Sequence, residues 1–179
     1  MNTTRRTALL SLAAAGAAPM MLLASRSLAQ SGGAVDAGQY AAQTLMAGTF
    51  ALETSRIAQQ KAVDPLVRQF AELEAAEQAT IAQILTSTGV QPPELPADRQ
   101  QMLADMQAME SNAQFDMTYI EGQITGHQEL LAIQQSLSGA SEMSVEVITA
   151  KLAEQAIMSH LAMLEHIQLH LSGTTESQG

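Results

Sequence analysis

Apolar residues in this 179-residue chain recur every three to four positions along four long stretches, and nowhere alternate one by one. That pattern predicts amphipathic helices and no strands. Ala, Leu, Met, Gln and Glu dominate, while aromatics and β-branched runs are sparse, which points the same way. Punctuating residues set the limits. Asp36 caps a first helix that runs to about Lys61. Asp64-Pro65, a capping acid with proline at the first helical position, starts a second helix that reaches about Thr88 and stops at Gly89. Pro92, Pro93 and Pro96 impose a stiff connector, and Asp98 caps a short helix reaching Met109 or Glu110. Ser111-Asn112 opens a third long helix to about Leu137. After a turn at Ser138-Gly139-Ala140-Ser141, Ser144 caps a fourth long helix to about Leu171. Residues 173–179 read as a polar, disordered tail.

The two short turns make helical hairpins of the first and second long helices and of the third and fourth. The connector between the hairpins, about twenty residues, can cross a bundle at about 1.5 Å per helical residue and more than 3 Å per extended one. The expected fold is therefore all-α: a ferritin-like four-helix bundle over residues 36–172, built from two antiparallel hairpins and a crossover that contains a short extra helix. A simple up-down bundle with an ornamented loop is the alternative.

Heptad-like spacing predicts the inward stripes. They are Met46, Phe50, Glu53 and Ile57; Leu66, Phe70, Leu73, Glu77, Ile81 and Ile84; Ile120, Ile124, His127 and Leu131; and Ile157, His160, Leu164, Ile167 and Leu171. Each stripe contains one ionisable residue, and such a group in a core needs a partner. Carboxylates and imidazoles converging inside a helical bundle are the ingredients of a metal site. Counted from the first turn, Glu74 is nearly level with Glu53 and Glu77 is several ångströms off, so either acid can converge with Glu53. The same counting puts His127 and His160 about one and a half turns out of level. Dimetal carboxylate bundles use Glu-x-x-His, which is absent; Glu74-x-x-Glu77 is its nearest relative. The expected site thus holds a single ion, iron, manganese or another transition metal, among Glu53, Glu74, Glu77, His127 and His160. The alternative is a metal-free cluster in which these groups satisfy one another. No catalytic residue is identified: the chain has no phosphate loop, no Gly-x-Ser-x-Gly and no His-Glu-x-x-His.

Three lesser features read more plainly. His166 and His170, four apart, are expected to be solvated near a helix C-terminus. Met102, Met106 and Met109 are expected to fill core space on the short helix. Gly122 and Gly126 are expected to permit close helix packing.

Charge and the N-terminus add a compartment. Arg5 and Arg6 precede an apolar run from Ala8 to Ala24, and Ser27-Leu28-Ala29 fits a cleavage site before Gln30. Residues 1–29 are expected to be a cleavable signal peptide and 30–35 a linker. Thr4-Arg5-Arg6-Thr7-Ala8-Leu9 resembles a twin-arginine leader, although Ala8 stands where that pattern usually has Phe. A periplasmic or otherwise exported location is expected. The leader holds three of the eight basic residues and none of the 18 acids, leaving five bases against 18 acids, a net −13 with His neutral. Such a chain repels nucleic acid and anionic lipid and attracts cations. The mature chain has no stretch long and apolar enough to span a bilayer. With no cysteine, neither disulfides nor thiolate ligands are available.

Phe50-Ala51-Leu52-Glu53, Phe70-Ala71, Phe115-Asp116-x-x-Tyr119, His127-Gln128-Glu129-Leu130 and His160 together resemble an exported bacterial family, domain of unknown function 4142, often labelled an outer-membrane protein. The resemblance spans about residues 39–171 and implies a ferritin-like bundle with no established activity. Glu53, Glu77, His127 and His160 fall on its pattern. Members commonly carry Asp-His on the second helix where this chain has Glu77-Gln78. An amide there is a poor ligand, so the implied site becomes richer in oxygen.

Overall fold

The computed structural model describes residues 36–176. The predicted leader and linker (1–35) and the last three residues lie outside the described residues. Five helices follow one another: α1 (Ala37–Lys61), α2 (Pro65–Thr86), α3 (Ala97–Ala108), α4 (Ala113–Ser138) and α5 (Val145–Glu176). The long α5 continues past its expected end at Leu171.

Several boundaries arise from the residues expected to set them. Asp64 Oδ1 accepts from the backbone N–H of Leu66 (2.8 Å) and Val67 (3.4 Å), which satisfies two donors that a helix start leaves free. Asn112 does the same for Phe115 (3.0 Å) and Ser144 for Val147 (3.3 Å). Gly89, at φ 95°, adopts the left-handed conformation that stops α2. Asp36 and Asp98 behave differently from expectation. Asp36 makes no side-chain cap bond, and Pro96 occupies the cap of α3, whose start follows from the fixed proline φ.

Hydrogen bonds fix the topology. Gln59 reaches the Ala71 carbonyl and Arg68 the Ala62 carbonyl, so α1 and α2 are antiparallel. Gln123 donates to Thr54 (3.0 Å) and Gln134 to Thr44 (3.4 Å): one number rises as the other falls, so α1 and α4 are also antiparallel. Helices α2 and α4 therefore run the same way. The segment joining them must return along the bundle, which makes it a crossover and rules out the up-down alternative. The core has three parts: Phe70, Phe115, Tyr119 and Leu164 at one end, Tyr40, Leu45, Leu85 and Leu137 at the other, and Ala47, Leu130, Ala153 and Ile157 between.

The predicted stripe of α5 is the observed one: Ile157, His160, Leu164, Ile167 and Leu171 are all buried. The stripe of α1 is not. Its buried face is small and polar, including Ala47, Gly48, Ala51, Thr54, Ser55 and Ala58, because α2 and α4 both pack closely there. The larger Phe50 instead faces the crossover, where the Arg99 guanidinium lies 4.9 Å from its ring centre. On α2 the inward face is Val67, Phe70, Ala71, Glu74 and Gln78, while Leu66, Leu73 and Ile84 are exposed.

A buried carboxylate joins the two hairpins. Asp116, in the first turn of α4, accepts from the backbone N–H of Val63 (3.1 Å) and Asp64 (2.7 Å). One turn on, the Tyr119 and Ser55 hydroxyls lie 2.9 Å apart. The Phe-Asp-x-x-Tyr motif thus ties α4 to the α1–α2 turn and to α1.

Candidate metal centre

Helices α2, α4 and α5 each send one buried side chain to a common point. Glu74 Oε2 lies 3.3 Å from His127 Nε2 and 3.3 Å from His160 Nδ1, and the two nitrogens are 3.2 Å apart. The three atoms form a nearly equilateral triangle. A tetrahedral ion about 2.1 Å from each ligand needs them about 3.4 Å apart, and an octahedral ion at that distance about 3.0 Å. The observed edges fall between, so the group can hold a metal ion.

Each of the three has an outer partner. His127 Nδ1 lies 2.8 Å from the Gln123 carbonyl, which can only accept. The hydrogen is therefore on Nδ1, and in the neutral ring Nε2 presents its lone pair to the triangle. Gln78 donates to Glu74 Oε1 (2.9 Å) and leaves Oε2 for the centre. Glu77 Oε2 lies 3.6 Å from His160 Nε2, on the far side of that ring from Glu74. Phe70 closes the site on its apolar side, with ring centres 5.8 Å from His127 and 5.6 Å from His160.

Glu74 Oε2 is fully buried and has no well-aligned hydrogen-bond partner, although both imidazole nitrogens stand 3.3 Å away. Burial opposes ionisation of this carboxyl, but in the metal-free site hydrogen bonding and positive charge from His127 and His160 outweigh it and hold it down to about 2. His160 is raised above its ordinary value, chiefly by its contact with Glu74, against burial. Glu77 is raised by burial, which its neighbours only partly offset.

Of the five predicted site residues the structure brings together three, with Glu77 beside them. Glu53 lies elsewhere. It pairs with Arg56 (2.6 Å) at the surface of α1, outside the buried group. The expected offset between His127 and His160 is absent. Lys151 reaches the Ser138 carbonyl, so α5 begins more than a turn beyond the end of α4, and that overhang brings the imidazoles level. Gln78 and Gln123 are outer partners that sequence reasoning missed. The signal available for Gln78 was its spacing, one helical turn after Glu74 on the same face. His166 is exposed, and the exposed His170 contacts Asp64 (3.1 Å) rather than a chelating neighbour.

The fold and site define a class: an all-helical crossover bundle of ferritin-like arrangement with a buried Glu-His-His group. More particularly, the chain belongs to the family DUF4142, a domain of unknown function, whose sequence model matches residues 23–167. Among solved structures it is similar to a DUF305 protein from Streptomyces coelicolor that is described as secreted. That likeness has a TM-score of 0.64 at 15% identity, covers 76% of this chain and 92% of the other, and speaks to the fold alone. No curated protein matches the sequence. No described helix is long and apolar enough to cross a membrane.

Proposed function

We propose that this is an exported protein that binds one transition-metal ion inside its bundle, with Glu74, His127 and His160 as ligands. The observation that carries the reading is Glu74 Oε2, a fully buried carboxylate oxygen with no well-aligned hydrogen-bond partner, 3.3 Å from each of two imidazole nitrogens. Stranding such a charge in a protein interior costs several kcal/mol, and a cation at the triangle's centre offsets it. The outer partners support the same reading. Ligating histidines usually direct their second nitrogen at a carbonyl or carboxylate, as His127 does toward Gln123 and His160 toward Glu77. Two nitrogens, one oxygen and no sulfur suit iron, manganese or zinc, and three protein ligands leave coordination positions open. An ion held this way supplies Lewis-acid or redox chemistry, while the helices exclude bulk water. Glu77 serves as a positioning residue for His160, and Glu53 has no part.

A closed polar cluster is the rival, favoured by the ion-pair distances from Glu74 to both rings. Reconstitution separates the two. Chelator-treated protein given iron(II) or manganese(II) is expected to melt higher, by the equivalent of about 2.7 kcal/mol at a hundredfold excess over Kd. His160→Gln is expected to abolish that response. A melting curve indifferent to every metal tried supports the closed cluster. Export is supported by the twin-arginine-like leader.

A further inference from the structure

The crossover helix leaves a cavity of about 540 Å³ between itself, α1 and α4, and none of the three ligand candidates lines it. Helix α3 has no buried residue. It is anchored near its ends: Arg99 makes two bonds to Glu129 (2.8 and 2.6 Å) and covers Phe50, and Lys61 donates to the Gln107 carbonyl (2.7 Å). Met102 and Met106, between those anchors, and Met109, just past the helix end, roof the cavity. Thioether side chains are flexible and adapt to varied apolar shapes. The expectation that these methionines fill the core is thus corrected for Met102, which is half exposed, while Met106 and Met109 are only partly buried.

The floor explains two glycines. Gly122 and Gly126 stand one turn apart inside α4, where glycine weakens a helix. Close helix packing was the expected reason, but a Cβ at either position meets nothing within 4 Å. Both positions instead face the cavity, and the missing side chains keep it open. Its lining is chiefly apolar, and its charged members are one-sided. Asp98, Asp105 and Glu121 carry carboxylates, and Arg99, the only base among the lining residues, is already paired with Glu129.

We propose that this cavity binds a hydrophobic cation. Its apolar body lies against the methionine roof and glycine floor, and its positive group lies at the carboxylates. The cavity lies within the size range of small-molecule sites, and charge selects the sign of the ligand. The inference stands independently of the metal centre.

Isothermal titration of the mature protein with decyltrimethylammonium, below its micelle-forming concentration, tests this. Decyl sulfate and neutral decyl maltoside serve as comparisons. Saturable one-to-one binding of the cation is expected, at least tenfold tighter than either comparison. Gly126→Leu, which fills the floor, is expected to weaken it at least tenfold without lowering the melting temperature. Gly122→Leu provides the same test should the first variant fold poorly. Glu121→Gln is expected to weaken the cation several-fold and leave the neutral surfactant unchanged. No saturable binding, equal binding of all three surfactants, or full affinity in both leucine variants overturns the proposal.

Discussion

Burial alone would push the Glu74 carboxyl up; two imidazoles pull it down to about 2, below its ordinary 4.5. In metal-stripped protein this depressed group contributes stability that is fully present above about pH 4.5 and lost as pH falls toward 2. His160 has the opposite sign. Raised above 6.5, it contributes stability present below pH 6.5 and lost as pH rises through its folded value. Glu77, raised by burial, also withdraws stability as pH climbs above 4.5. Metal-stripped protein is therefore expected to melt lower at pH 8 than at pH 6. A bound ion needs His160 neutral, so metal-loaded protein is expected to melt higher at pH 8 than at pH 6. Paired thermal melts at the two pH values check both signs. Asp116 is a second informative residue. In Asp116→Asn one oxygen still accepts, but the amide NH2 faces the other backbone N–H. A loss of about 1.5–3 kcal/mol is expected in urea unfolding. Sequence alone placed Asp116 in a motif. Its partners, 52 and 53 residues away, became visible only once α4 was docked.

At the level of helices, local signals were legible and facing was not. Asp64-Pro65, Asn112, Ser144 and Gly89 mark boundaries through bonds or dihedrals that lie within a few residues of each other. The stripe of α5 was equally clear, because that helix buries one aliphatic side. Helix α1 misled because Phe50 faces the crossover, while its closest packing uses alanine, glycine and serine, which periodicity undervalues. That error drew Glu53 into the expected site, and the ambiguity on α2 left Glu74 and Glu77 unresolved until the helices were placed. Gly48 shows how close packing supports the centre. A Cβ there would lie 2.5 Å from Gln78 Oε1, on the side chain that holds Glu74. Gly48→Ala is expected to displace Gln78 and weaken metal affinity by roughly 10- to 100-fold, the usual range for loss of an outer partner. Titration of the variant against wild type measures this, and unchanged affinity would remove Gln78 from the site.

Over the whole molecule, two hairpins and a crossover bring residues 74, 127 and 160 to one depth in the bundle. The hairpins themselves could be inferred from turn lengths. The depth could not, since it depends on the overhang of α5 past α4 and on the crossover that sets α2 parallel to α4. Elemental analysis of protein recovered from its native compartment, quantified per chain, bears on the centre most directly. Close to one transition-metal ion per chain is expected in wild type and less than a tenth of that in a folded Glu74→Gln variant. Equal metal in the two proteins, or a folded wild type that stays empty after exposure to iron(II), manganese(II) and zinc(II), would contradict a metal centre at Glu74, His127 and His160.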